Sequence, residues 1–139
     1  IELLMFLSTI DVNCRIEKRQ YFSKNQVKKT KEIRKFLVEH LETRYTLVQL
    51  SEMFSFPLTT MKTAFKGIYG TPILSYMREY RLQVAAQMLI NSDLSISQIA
   101  DNVGYENPGK FSETFKKHMK VSPYDYRKKH CLQKEENDL

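Results

Sequence analysis

The chain has 139 residues, of which 42% are hydrophobic and 27% are charged, a composition that is ordinary for one globular domain. The formal net charge of +6 at pH 7 suits a polyanionic partner, although basic proteins of other kinds are common. Many Leu, Lys, Glu and Gln residues and few runs of Val or Thr favour helices over strands. We therefore predict an all-α fold.

The sequence contains no motif that indicates a metal site, a cofactor site or a catalytic site. The two cysteines, Cys14 and Cys131, lack CxxC spacing, and no His pair stands at metal-ligand spacing. GxSxG, HExxH and P-loop patterns are also missing. We predict a protein that is not an enzyme and has no cofactor, in keeping with a reducing cytoplasm.

The first 28 residues are predicted to be the tail of a preceding domain or an interdomain linker. Residues 1–10 are apolar but lack a basic flank and are too short to span a bilayer, so no membrane segment is expected. Residues 11–30 are polar and rich in Lys and Arg, without a clear period. An amphipathic helix is predicted from about Lys29 to Thr43, with apolar residues at helical spacing.

The remainder of the chain contains a repeat with an offset of about 50 residues. Thr46 and Gln49 in the first copy correspond to Ser95 and Gln98 in the second. A hydroxyl residue followed three positions later by Gln is a capping box, in which each side chain accepts from the other residue's backbone amide. Each copy is therefore predicted to begin with a helix.

In each copy a short turn and a second helix follow the capped helix. The copies close with Thr71-Pro72 and Ser122-Pro123, which end one helix and start the next. This order predicts helix-turn-helix units at about 46–70 and 95–120. The alternative is a pair of αα-hairpins that serve only for packing.

The second helix of each copy has one apolar side and one polar side. Residues predicted to face the core are Met61, Phe65 and Ile68 in the first copy, and Phe111, Phe115 and Met119 in the second. Those predicted to face outward are Thr59, Lys62, Thr63 and Lys66, and then Gly109, Ser112, Glu113 and Lys116, flanked by Lys110 and Lys117. Thr, Ser and Lys can contact base edges in the major groove. The alternative is that both faces are merely solvated.

Between the copies, residues 73–91 are predicted to form one continuous helix. Its apolar residues recur at helical spacing, and neither Gly nor Pro interrupts it. At about 1.5 Å per residue the helix is roughly 28 Å long. Such a linker helix could hold two recognition helices on one DNA face about one helical turn apart.

Two segments resemble the DNA-binding domain of the AraC family of bacterial transcription regulators. Residues 81–89 read RLQVAAQML, and residues 96–105 read ISQIADNVGY. The latter is followed at the family's spacing by Phe111, Phe115, Ser122-Pro123 and Tyr126-Arg127. The resemblance covers about residues 30–130 and implies seven helices, with both second helices entering successive major grooves. The predicted DNA-binding domain is therefore 29–130, followed by a disordered acidic tail at 131–139.

The resemblance also implies which side chains contact DNA. It points to base-reading residues Thr59, Lys62, Thr63, Pro108, Gly109, Lys110 and Glu113. Residues predicted to contact phosphates are Thr60, Lys66, Ser112, Lys116, Lys117 and Arg127. Pro108, Gly109 and Glu113 are a weak set for reading bases, so the second unit is expected to contribute more to anchoring than to sequence choice.

Two residues depart from the family pattern. Pro57 stands where a small polar cap is usual and removes a possible phosphate-contacting amide. Lys120 replaces the usual Gly after the second recognition helix, where a left-handed backbone would carry a steric cost.

The predicted function is a sequence-specific DNA-binding transcription regulator, with activation favoured over repression. Its partners would be a double-stranded DNA operator and, for an activator, RNA polymerase, with an N-terminal effector or dimerisation domain as in most of the family. The principal alternative is a protein-interaction module that kept the fold but lost specific DNA binding. Because some DNA-repair alkyltransferases combine such a domain with a reactive cysteine, methyl transfer to Cys14 is a minor alternative.

Overall fold

The computed structural model describes residues 22–137, with side chains through Cys131. Within residues 22–137 the chain forms seven helices and no strand, which confirms the all-α prediction. The helices are α1 (Lys24–Glu39), α2 (Leu47–Met53), α3 (Leu58–Tyr69), α4 (Ile73–Asn91), α5 (Ile96–Asn102), α6 (Pro108–Met119) and α7 (Pro123–Asn137). The predictions for the apolar opening stretch and for Cys14 lie outside the described residues.

The described chain divides into two compact units. The first comprises residues 22–40 and 45–77, and the second comprises residues 41–44 and 78–137. The boundary falls within α4, so this predicted linker helix is also a core element. Ile73 and Met77 are buried in the first unit, and Leu82 and Leu89 are buried in the second.

In the first unit, helices α1 to α3 and the start of α4 surround one apolar core. Its centre contains Ile33 of α1, Leu50 of α2, and Met61 and Phe65 of α3, all at most 1% exposed. Phe65 meets the ring of Tyr76 edge to face at a centroid distance of 5.4 Å. Burial of these large side chains is the main stabilisation that such short helices have.

Helix α1 begins at Lys24, five residues before the predicted start at Lys29, and it ends at Glu39 rather than near Thr43. The cause is a third capping box, in which Ser23 Oγ accepts from the Gln26 amide at 3.2 Å and Gln26 Oε1 accepts from the Ser23 amide at 3.0 Å. The linker predicted for residues 11–30 therefore ends before residue 24. The cap was hidden among lysines that showed no apolar period.

In the second unit, α4 packs with α5, α6 and α7 around Phe111 and Phe115. Phe115 meets Tyr126 of α7 edge to face at 5.4 Å, as Phe65 meets Tyr76 in the first unit. Arg81 is 6% exposed and donates to the carbonyl oxygens of Leu41 and Thr43, both at 3.4 Å. Burial lowers the pKa of Arg81, which nevertheless remains a cation because its ordinary value is so high.

Helix α7 continues to Asn137, through most of the segment 131–139 for which a disordered tail was predicted. That prediction was wrong for residues 131–137. The segment contains no Gly or Pro and consists largely of good helix formers such as Leu, Gln, Lys and Glu. Its acidic composition alone is therefore a poor indicator of disorder.

Candidate nucleic-acid interface

Each unit contains a helix-turn-helix whose first helix is capped as predicted. In α2, Gln49 donates its amide to Thr46 Oγ1 at 3.1 Å, and Thr46 donates its amide to Gln49 Oε1 at 2.8 Å. In α5 the matching distances between Ser95 and Gln98 are 3.1 and 2.9 Å. The repeat thus specifies local geometry as well as helix order.

The turns that follow these first helices use left-handed residues at equivalent positions. Ser55 has a φ of 48° in the first unit, and Gly104 has a φ of 88° in the second. A Cβ on Gly104 would overlap the carbonyl oxygen of Leu41, so glycine is required there for space as well as for backbone conformation. Ser55 adopts the strained conformation at some steric cost.

The outward face of α3 contains the predicted side chains together. Thr59, Lys62, Thr63 and Lys66 are all exposed, at positions i, i+3, i+4 and i+7 of one helix. No carboxylate occurs in α3, so the face is basic. The Thr63 hydroxyl donates to the Thr59 carbonyl at 2.9 Å, which leaves its methyl group and oxygen lone pairs for a ligand. Thr60 is half-buried at the edge of this face.

The amino end of α3 has no side-chain cap. Pro57 is the N-cap residue, and its carbonyl accepts from the Met61 amide at 2.8 Å. The amides of residues 58–60 precede this first helical hydrogen bond and therefore point out of the helix end, where they favour an anion. Because Pro57 lies before the first turn, it removes none of these three donors.

The outward face of α6 is chemically weaker for reading bases. Gly109, Lys110, Glu113, Lys116 and Lys117 are exposed. Pro108 and Ser112, the other predicted contacts of this helix, are half-buried. Glu113 places a carboxylate in the middle of the face, and Gly109 has no side chain. The exposed cations lie mainly toward the carboxyl end of the helix.

Asn107 caps α6, although no cap is predicted there from the sequence. Its Oδ1 accepts from the amides of Gly109 at 2.8 Å and Lys110 at 3.3 Å, and Pro108 has no N–H to offer. The first-turn amides are therefore satisfied within the protein, unlike those of α3. Asn followed by Pro at the start of an apolar period is a recognised N-cap signal and would have revealed it.

Arg127, predicted to contact phosphate, lies at the carboxyl end of α4. Its guanidinium donates to the carbonyl oxygens of Leu89 at 2.9 Å, Ser92 at 3.3 Å and Leu94 at 2.6 Å. These carbonyls belong to the last turn of α4 or to the residues just after it, where a helix has no further amides to donate to them. The structure gives Arg127 a capping role and does not bring it to the α6 face.

Among residues 22–137, no helix is long and apolar enough to cross a membrane. The same part of the chain contains no group of three or more His, Cys, Asp or Glu side chains placed to hold a metal ion.

A family model described as a helix-turn-helix domain matches residues 50–129. The chain belongs to the AraC family of DNA-binding transcription regulators. The match includes α3 and α6 and excludes α1. The resemblance predicted from residues 81–89 and 96–105 is thereby confirmed.

Two curated AraC-type relatives illustrate the range of the family. The HTH-type transcriptional regulator AlkR of Acinetobacter baylyi is 35% identical over 86 residues, which are 62% of this chain and 28% of AlkR. The virulence regulon transcriptional activator VirF of Yersinia enterocolitica is 27% identical over 95 residues, which are 68% of this chain and 35% of VirF. The chain thus spans about a third of the length of the curated relatives it matches.

The fold is shared with a solved DNA-binding domain. The DNA-binding domain of the global transcriptional factor AdpA, crystallised in complex with a target DNA, has a TM-score of 0.71 and 22% identity. The likeness covers 75% of this chain and 94% of that one. It confirms the predicted fold of two helix-turn-helix units.

Proposed function

We propose that this chain recognises a double-stranded DNA operator by placing α3 and α6 in successive major grooves. The observation that supports this most directly is the repeated unit itself. Each copy presents an exposed polar face on its second helix, and this face contains Lys62 and Lys66 in α3, and Lys110, Lys116 and Lys117 in α6. Exposed helices of this chemistry suit the donor and acceptor pattern of the major groove.

Helix α3 is proposed as the source of sequence choice. Lys62 can donate to guanine O6 or N7, and the Thr59 and Thr63 side chains can contact bases or a thymine methyl. Thr60 and Lys66 are proposed to contact phosphate, together with the uncapped amides of residues 58–60.

Helix α6 is proposed to anchor the protein more than it reads bases. Pro108 and Gly109 have little to offer a base edge, and Glu113 can accept only from a donor such as cytosine N4. Lys110 is the remaining candidate for a base contact. Ser112, Lys116 and Lys117 are proposed phosphate contacts, which bind all sequences alike. Because Asn107 occupies the first-turn amides of α6, phosphate binding here depends on side chains.

In the cell, we propose that the regulator activates transcription and contacts RNA polymerase beside its operator. The relative VirF is named a transcriptional activator. An effector or dimerisation domain, N-terminal to this one, is proposed for the whole protein because the chain matches only about a third of each curated relative.

Selection of bound sequences from a random duplex pool, followed by footprinting, tests the proposal. The expected site is asymmetric, roughly 15 to 20 base pairs long, with two protected major-groove segments about 10 base pairs apart. Affinity should fall steeply as log salt rises, by a slope of about 0.9 for each phosphate contact. A single protected segment would contradict dual engagement. A flat salt profile without sequence preference would favour the alternative of a protein-interaction module.

A further inference from the structure

Helix α1 has an exposed ridge of four lysines that the recognition faces do not include. Lys24, Lys28, Lys31 and Lys35 are all exposed and follow one another at intervals of four, three and four residues. At about 100° per residue this spacing keeps them within a narrow strip, and at about 1.5 Å per residue the strip is ~16 Å long. We name these four residues the lysine ridge. It lies on the side of α1 away from its buried residues, Thr30, Ile33 and Leu37.

The lysine ridge is unfavourable in the free protein. Lys24 and Lys28 are neighbours at i and i+4, as are Lys31 and Lys35, and like charges at this spacing destabilise a helix. Glu32 and Glu39, each four residues after a ridge lysine, offset part of this repulsion, and α1 keeps an excess of positive charge because it has six basic residues and two acidic ones. A linear polyanion laid along the ridge would relieve the repulsion at all four positions.

Helix α1 is held to its own unit at two points, one on α3 and one on the turn that precedes α3. The Phe22 ring, just before α1, packs on Gly67 of α3 so closely that a Cβ there would overlap it. Further along, Lys29 Nζ donates to the Ser55 carbonyl at 2.9 Å and lies 5.7 Å from the Phe56 ring centroid. Helix α1 therefore runs alongside α3 in the opposite direction.

The contact at Gly67 also places the start of α1 at one edge of the recognition face. Gly67 follows Thr63 by four residues, so it is Thr63's neighbour on the surface of α3. A helix that borders a face inserted in the major groove is close to the DNA strand that bounds that groove. The lysine ridge therefore lies on a helix that is close to that DNA strand.

We infer that the lysine ridge binds the sugar-phosphate backbone beside the groove segment occupied by α3. The inference rests on the proposed function, since it requires α3 to enter the groove. The ridge would contribute affinity for every sequence and would not contribute to base preference. An acidic protein surface is the other polyanion that such a ridge could fit, and membership of a DNA-binding family favours the sugar-phosphate backbone.

The test compares the 139-residue chain with two quadruple variants, K24Q/K28Q/K31Q/K35Q and K24R/K28R/K31R/K35R. The arginine variant keeps the charge and the helix propensity, so it is the matched control. Binding to the selected operator and to a scrambled duplex is measured between 50 and 200 mM salt, a range over which phosphate contacts have a large effect of about 10³-fold or more for six contacts. Thermal unfolding monitored by circular dichroism reports folding without DNA.

The glutamine variant should unfold near the parent midpoint, because the lysine repulsions and the Lys–Glu pairs that it removes are similar in size. Its salt slope should be shallower by about two to four, at about 0.9 per lost contact, and both duplexes should lose affinity by the same factor. The arginine variant should match the parent. A salt slope in the glutamine variant equal to that of the parent would overturn the inference. The same result is expected if the ridge binds an acidic protein surface and not DNA. A parent that does not distinguish operator from scrambled DNA would instead overturn the proposed function.

Discussion

Gly70 and Lys120 occupy equivalent positions, directly after α3 and α6, and both have a left-handed backbone. Their φ values are 89° and 67°, and each donates its amide to the carbonyl four residues earlier, at 3.0 Å for Gly70 and 2.9 Å for Lys120. A left-handed conformation costs a residue with a Cβ about 1 kcal/mol or more, whereas glycine adopts it freely. The second unit therefore contains a strain that the first unit avoids.

Replacing Lys120 by Gly should stabilise the protein. We expect a gain of about 0.5 to 1 kcal/mol and a rise of a few degrees in Tm, of the order of 4 °C per kcal/mol for a domain of this size. Thermal unfolding without DNA is the measurement, since the substitution also removes a charge. Lys120→Ala is the control, because it removes the same charge and retains the Cβ. Equal midpoints for the two variants would show that the backbone strain is small.

Arg127→Met should destabilise the second unit and leave phosphate contacts unchanged. The side chain donates to three carbonyls around the end of α4, and losing hydrogen bonds from a charged group costs about 2 kcal/mol. We expect a lower urea midpoint and an unaltered slope of log affinity against log salt. A slope shallower by about one, with an unchanged midpoint, would instead support the phosphate contact predicted from sequence.

Lys62→Ala and Lys116→Ala should have different effects on DNA recognition. Lys62 lies in the middle of the α3 face, so its loss should relax base preference in one half of the operator by about 1 to 3 kcal/mol of discrimination. Lys116 lies near the carboxyl end of α6, so its loss should weaken all sequences alike and reduce the salt slope by about one. Competition binding with single-base operator variants separates the two effects. If both variants lose the same affinity for every operator variant, α3 is not the source of sequence specificity.

Alkaline unfolding should depend on Tyr69. Burial is the largest influence on its phenol and raises its pKa, against the lowering effect of Arg34. A raised pKa in the folded state means that the associated stability is complete below the unfolded value of about 10 and is lost as pH rises through the folded pKa. We therefore expect the unfolding midpoint to fall above about pH 10, and to fall less steeply in Tyr69→Phe. Parallel curves for the two proteins would contradict this assignment.

Helical periodicity alone predicts which residues of α3 are buried and which are exposed. Met61 and Phe65 were predicted to be buried, and Thr59, Lys62, Thr63 and Lys66 to be exposed, and the structure agrees. Apolar side chains repeated at helical spacing must share a face, and burial of that face exposes the other. Which of the exposed residues contact DNA remains a prediction.

Hydrophobic periodicity does not predict the first turns of α1, which contain part of the lysine ridge. Residues 24–35 have a basic rather than an apolar period, so hydrophobic spacing alone predicts a linker for part of this stretch. Apolar spacing predicts the helix only from about Lys29, and its start at Lys24 follows from the Ser23 cap and from the packing of α1 in the first unit. Long-range packing, which a window of sequence does not contain, decides that the segment folds.

By itself, the sequence determined the all-α fold, the two capped helix-turn-helix copies and the family, because capping boxes and helical periods are local. The tertiary structure alone decided the role of Arg127, since the carbonyls that it caps are 33 to 38 residues away in the chain. It also decided that residues 41–44 belong with the second unit, where Arg81 and Arg44 bind main-chain oxygens. A guanidinium can donate to a phosphate or to a carbonyl, and only the fold determines which of them is near.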